Sequence, residues 1–235
     1  MLRFDDVTGG YGARTALEHV SFELRPGERV ALVGPSGAGK TTIFRLSYGA
    51  FAPQAGRVLV AGNDLASLHG ARLRAMRARI AVIFQAHGLV DQLRVWQNVV
   101  AGTFGRRGTI DSLRAVLAPR AAELETARAA LGRVGLEDRL YSRAFELSGG
   151  QRQRVAIARA IAQRAELVLA DEPAASLDPE LGGEIVDMLL ADAKARGATL
   201  LCSLHQPELA RRFDRVIRLG SGTAVPEEPL ASSGL

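Results

Sequence analysis

The chain has 235 residues, 47% of them hydrophobic and 23% charged, which suits one large α/β domain or two small ones and excludes wholesale disorder. Its net charge is +5, with every basic residue except Lys40 and Lys194 an arginine, but the arginines are scattered, and a nucleic-acid partner is not expected. The single cysteine, Cys202, excludes an intrachain disulfide and a cysteine zinc cluster.

The first residues, MLRFDDVTGGYG, lack the apolar core of a signal peptide. No run approaches 18 apolar residues, so a membrane role would have to come through a partner. Residues 2–7 read as a strand and residues 15–24 as a second. Pro26-Gly27 marks a turn. RVALVG follows, a short apolar run of the kind that forms a strand buried on both faces. It feeds the glycine-rich stretch GPSGAGKTT and a helix running from Lys40 toward Tyr48. Residues 56–62 and 79–85 read as further strands. From about residue 95 to 143 the pattern turns helical, with Leu124, Ala127, Leu131 and Val134 on one face of ELETARAALGRVG. This predicts a helical subdomain, about residues 86–150, inserted into an α/β core. A helix from Gln151, the strand ELVLAD, a helix over residues 180–196, the strand ATLLCSLH and the hairpin RVIRLGSGTAV complete the order. Residues from about 226 to 235 read as a loose tail.

GPSGAGKTT satisfies G-x-x-x-x-G-K-[ST] in full, between a buried strand and a helix. Gly34, Gly37 and Gly39, with Pro35, Ser36 and Ala38 between them, let successive N–H groups curl around phosphate oxygens. The helix that continues through Thr42 adds a favourable dipole. Lys40 is placed to bridge the β- and γ-phosphates of ATP, and Thr41 to offer its hydroxyl to Mg²⁺. LVLADEP ends an apolar run with two carboxylates. Asp171 is suited to hold Mg²⁺ through water, and Glu172 to take a proton from attacking water. LLCSLHQ repeats the arrangement and ends at His205, suited to bond the γ-phosphate or the attacking water. Gly34, Asp171 and His205 are thus each expected where a parallel strand runs out, the edge at which such sheets bind ligands.

LSGGQRQRVAIARA sets Ser148, Gly149 and Gly150 directly before a helix. Adjacent glycines cost backbone entropy and suggest that something approaches the backbone closely. A serine-glycine turn at a helix N-terminus is a second anion cradle. One nucleotide does not need two cradles from one chain, so the second is expected to serve the nucleotide of a second copy, head to tail.

With LSGGQ beside the phosphate loop, the chain resembles an ABC-transporter ATPase subunit along essentially its whole length. The resemblance implies a single ATPase domain over residues 1–235: an α/β, P-loop NTPase core with a mainly parallel sheet, a small antiparallel β-subdomain and an inserted helical subdomain. It also implies that Tyr11 stacks on adenine and that Gln85 touches Mg²⁺ and moves with the membrane partner. Ser176-Leu177-Asp178 would communicate across the dimer, while Ser148, Gly150 and Gln151 meet the partner's ATP. FQAHGLVDQLRVWQNVVAGTFGRRG, LADEPAASLDP and SLHQPELARRFDRVIRL are similar to the ATPases of phosphonate and phosphite importers. That subfamily usually carries Asn, Val and Val where Gly88, Ala174 and Pro207 stand. The implied partners are a second copy, a membrane permease and, indirectly, a substrate-binding protein, with the chain peripheral on the cytoplasmic face of the membrane. Another cargo, such as a polar amino acid, and export remain alternatives. A soluble ABC ATPase acting on DNA or ribosomes usually adds long coiled coils or a second ATPase unit, which this chain lacks. A regulator without turnover would not need both Glu172 and His205.

Overall fold

The computed structural model describes residues 1–11, 14–84, 87–175, 177–220 and 223–226. In chain order the elements are β1 (Leu2–Tyr11), β2 (Arg14–Leu24), β3 (Arg29–Val33), α1 (Lys40–Ser47), β4 (Ala55–Val60), β5 (Asn63–Asp64), α2 (Gly70–Arg77) and β6 (Ile80–Ile83). Then come α3 (Val95–Val100), α4 (Thr109–Leu117), α5 (Ala121–Gly132), α6 (Gly149–Gln163), β7 (Leu167–Ala170), α7 (Pro179–Arg196), β8 (Thr199–Leu204), α8 (Pro207–Ala210), β9 (Arg215–Gly220) and β10 (Thr223–Pro226).

Two sheets organise the chain. One is antiparallel, in the order β2-β1-β4-β5. The other has six strands in the order β10-β9-β3-β8-β7-β6; it is parallel apart from β10, which returns antiparallel to β9. Alternation along the parallel strands divides the core in two. Leu167 and Leu169 of β7 join Val30, Leu32 and Leu201 in a cluster shared with the antiparallel sheet and α1. Val168 and Ala170 face the other way, with Ala31, Leu200 and Cys202, onto the helical side. There α3, α5 and α6 pack through Val95, Trp96, Ala127, Leu131 and Ile157.

β1 runs four residues beyond the expected strand, through Gly9 and Gly10. Glycine weakens a strand in isolation, but pairing with β2 continues to Tyr11–Arg14, with irregular register at residues 4–7, 7–9 and 9–10. Asp6 takes φ 51° within this stretch, the marks of bulges that bend a strand. α6 begins two residues before Gln151, because Ser148 caps it. Pro226, expected to open the tail, instead pairs with Ile217 as the last residue of β10; residues 227–235 lie outside the described residues.

The helical side is tied together by Glu123 of α5, a buried carboxylate. It accepts hydrogen bonds from the guanidinium groups of Arg114 and Arg107 and, at 2.6 Å, from the backbone N–H of Arg120. The Arg114 bond leads in holding its pKa down, from an ordinary 4.5 to about 2. A depressed carboxylate stabilises the fold above its unfolded pKa and loses that contribution as pH falls through the folded value. Glu123→Gln should therefore lower stability at pH 7 by about 1.5–3 kcal/mol. It should also flatten the fall in melting temperature of the native chain between about pH 4.5 and 2, as followed by circular dichroism.

Candidate active site

Parallel pairing sets the site. β8 lies between β3 and β7, with Val33 opposite Leu204 and Ala170 opposite Cys202. Gly34, Asp171 and His205 therefore leave the sheet at one edge, as the sequence predicts.

The loop after β3 turns through Pro35, Ser36 and Ala38, with the Ala38 N–H donating to the Pro35 carbonyl at 3.2 Å. Gly39 stands at φ 100° and is the N-cap residue of α1. No side chain caps α1 and its first turn holds no acidic residue, so its open N–H groups and dipole face outward as an anion site. Lys40 is only 5% exposed. Its Nζ donates to the carbonyls of Gly34 at 2.8 Å and Pro35 at 3.2 Å and lies 3.7 Å from Glu172 Oε1.

A cleft of about 530 Å³ collects Ser36, Gly37, Gly39, Lys40, Thr41 and Thr42 from the loop and α1, Glu172 and His205 from the sheet edge, and Tyr11 from β1. Thr15 and Ala16 of β2, not foreseen from the sequence, complete it. The Tyr11 ring is 45% exposed. Phe51 sits 5.1 Å from its centroid and the Arg45 guanidinium 5.3 Å over it, which fixes the ring at the cleft. A larger hollow of about 620 Å³, between the β2–β3 turn, α5 and α6, holds none of the predicted site residues.

The two carboxylates differ. Asp171 is buried; burial pushes its pKa up, while hydrogen bonds from the Ser203 and Thr41 hydroxyls pull it down. Glu172 adopts φ 50°, a left-handed conformation that costs an L-residue about 1–2 kcal/mol. Its Oε1 lies 2.6 Å from His205 Nε2. Ser203 of β8 was missed by the sequence reading. Its Oγ accepts from the Glu172 N–H at 2.7 Å and donates to Asp171 Oδ1 at 2.9 Å. The available signal was a polar residue two positions before His205, directly after the apolar run Leu200-Leu201-Cys202.

Ser148, Gly150 and Gln151 do not line this cleft. Ser148 Oγ accepts from the Gln151 N–H at 3.3 Å, and the Gln151 side chain accepts from the Ser148 N–H at 3.0 Å, a reciprocal cap. The adjacent glycines have different reasons. A Cβ on Gly150 would come within 2.5 Å of Leu181 Cδ2 on α7, whereas one on Gly149 would meet nothing within 4 Å. Gly150 packs close against α7, while Gly149 stays open to solvent.

Gln85 and Ser176 lie outside the described residues. The stretch after Gln85 is fastened to α6. Arg159 donates to the carbonyls of His87 at 2.8 Å and Gly88 at 2.5 Å, and His87 Nδ1 lies 2.6 Å from Gln153 Oε1. Gly88 has φ 59°, a conformation that glycine and asparagine both accept, so the departure from Asn keeps the backbone course. Pro207 opens α8, where the first-turn N–H is dispensable.

The profile of the ABC transporter family matches residues 17–175. The phosphonates import ATP-binding protein PhnC of Frankia casuarinae is 49% identical over 226 residues, 95% of this chain and 88% of that protein. A PhnC of Pseudomonas aeruginosa is 45% identical over 218 residues, covering 92% and 80%. A dimeric bacterial ABC transporter cassette superposes with a TM-score of 0.86 at 30% identity, covering 99% of this chain and 100% of that one. A dimeric cassette in a post-hydrolysis state, bound to ADP and Pi, gives 0.85 at 30% identity, with the same coverage.

Gly39 offers a direct test of the loop. A Cβ there would stand 2.6 Å from Leu17 Cδ2 and 2.8 Å from the Ala16 carbonyl, at a φ that L-residues avoid. Gly37, at φ 81°, has nothing within 4 Å. Gly39→Ala should cost more than the roughly 1–3 kcal/mol of backbone strain to which Gly37→Ala is confined, measured as the difference in urea midpoints.

Proposed function

The chain belongs to the ABC transporter ATPase family, and on that premise we propose that it binds Mg-ATP, closes head to tail with a second copy, and hydrolyses the nucleotide to power uptake of a phosphonate or related phosphorus oxyanion through a membrane permease. The observation that carries the catalytic reading is the meeting of Lys40, Glu172 and His205 at an uncapped helix terminus in one cleft.

On this reading Lys40 exchanges its two carbonyl partners for phosphate oxygens, and the N–H groups at the start of α1 hold the phosphate chain. The Tyr11 ring, backed by Phe51 and Arg45, supports the adenine. Glu172 takes the proton of the attacking water, and His205 holds the Glu172 carboxylate in place and meets charge on the γ-phosphoryl group. Thr41 and Asp171 share a hydrogen bond, a hydroxyl–carboxylate pair of hard oxygen donors that fits Mg²⁺. When bound, the metal would neutralise phosphate charge; Gln85 is assigned to the same ion. Ser148, Gly150 and Gln151 complete the partner's site, and Gly150 also gives the turn its close seat on α7. Residues 1–235 form one domain, whose helical part, about 86–150, faces the permease.

No helix among the described residues is long and apolar enough to cross a membrane; attachment at the cytoplasmic face comes through the permease. The phosphonate assignment draws on the names of the similar proteins and on a likeness spread over nearly the whole chain.

Glu172→Gln keeps the shape of the side chain but not the base. Hydrolysis should fall ~10²–10⁴-fold while ATP binding persists, and the variant should collect as an ATP-bound dimer in light scattering. Adding Ser148→Arg should return it to the monomer. Turnover near that of the native chain removes Glu172 from the role of base, and a dimer indifferent to Ser148→Arg removes the signature turn from the interface.

Cargo is tested on the substrate-binding protein that serves the same permease. Calorimetry against phosphonates, phosphite, phosphate and polar amino acids should give tight binding for a phosphorus oxyanion. Tight binding of an amino acid alone overturns the phosphonate assignment and leaves the ATPase intact.

A further inference from the structure

Ser203 lies within β8, wholly buried, between the core residues Cys202 and Leu204. A hydroxyl in such a place has to find its partners inside the protein. It finds two on consecutive residues of the site, accepting from the Glu172 N–H and donating to Asp171 Oδ1. The main chain explains why both are needed. The Asp171 N–H still follows the sheet ladder, donating to the Ile83 carbonyl at 2.9 Å. The Glu172 N–H is the first beyond the ladder, and a side chain, not a strand, receives it. At that point the backbone swings into its left-handed conformation, and the Glu172 carboxylate arrives 2.6 Å from His205 and 3.7 Å from Lys40.

We propose that Ser203 is a positioning residue for ATP hydrolysis: its hydroxyl holds the left-handed backbone of Glu172 that aims the carboxylate into the cleft, and ties down one oxygen of Asp171. Without the hydroxyl the Glu172 N–H loses its partner, and the left-handed backbone keeps only the bond from the Ala175 N–H to the Glu172 carbonyl and the side-chain contacts to His205 and Lys40. The carboxylate would then drift from its place, and a misplacement of 1 Å is enough to cost about a hundredfold in rate. Ser203 itself is fully buried and does not line the cleft, so ATP has no contact with its hydroxyl to lose. Affinity should therefore change little. The inference rests on the reading of Glu172 as the general base.

The test uses the full-length chain carrying Ser203→Ala, Ser203→Cys or Ser203→Thr, each also combined with Glu172→Gln. Cysteine stays close to serine in volume and is a much weaker hydrogen-bonding group, so it repeats the alanine experiment without opening a cavity. Ser203→Ala and Ser203→Cys should lower kcat about 10- to 100-fold with KM for ATP within about twofold. Ser203→Thr keeps the hydroxyl on a residue that suits a strand and should recover most of kcat. In the Glu172→Gln background the serine changes should add less than about twofold, since residues that act as a unit are not additive. Native kcat in Ser203→Cys, a loss that threonine does not relieve, or a full further loss on top of Glu172→Gln would each overturn the proposal. Failure of the underlying reading shows separately, as native turnover in Glu172→Gln with Ser203 intact.

Discussion

The parallel register of β3, β8 and β7 is the constraint on which the site depends. Main-chain bonds set Val33 level with Leu204 and Ala170 level with Cys202. A slip of one residue in a strand buried on both faces exchanges its two sets of side chains. In β7 it would turn Leu167 and Leu169 toward the helices and Val168 and Ala170 toward the antiparallel sheet. Burial of Leu167, Val168 and Leu169 contributes about 1.5–3 kcal/mol each, so the core strongly opposes the slip. The same slip would set Leu204 or Cys202, not Ser203, beside Asp171. Catalytic geometry is in this way inherited from hydrophobic packing one layer below it.

Much of this could be read from the residues, for an identifiable reason. The phosphate loop, the Asp171-Glu172 pair and His205 each end an apolar run, and a run of that kind is a buried strand whose end lies at the sheet edge. The helical region declared itself by periodicity, and Ala127, Leu131 and Val134 are buried as their spacing predicts. What escaped notice depends on partners outside the local stretch. The last part of β1 contains Gly9 and Gly10, which argue against a strand, and only pairing with β2 makes it one. Ser203 belongs to no motif; its meaning comes from residues more than thirty positions away. The close seat of Gly150 against Leu181, thirty-one residues on, is likewise invisible in the local sequence. The place of Tyr11 at the cleft followed from resemblance, since a tyrosine after a glycine pair signals nothing by itself.

α6 joins two parts of the molecule that lie far apart in sequence. Its N-terminus presents Ser148 and Gly149, while Gln153 and Arg159 on the same helix grip His87 and Gly88 just after Gln85. Glu123 and its arginines brace the helices packed on α6. One uninterrupted helix of 15 residues with a reciprocal cap at its start thus connects the signature turn to the segment after Gln85.

The resting place of Lys40 has a consequence for how the site empties. Its ammonium is not waiting unpaired in the cleft; two carbonyls of its own loop already hold it. On the role proposed for Lys40, an incoming phosphate would gain only the difference between its own bonds and those it replaces, and exchanges of this kind are modest in net free energy. The loop is thus a standing competitor for its own lysine. On that reading, a resident that offers Lys40 less than the carbonyls do loses the lysine's hold, which suits a machine that must discard its spent fuel before the next stroke.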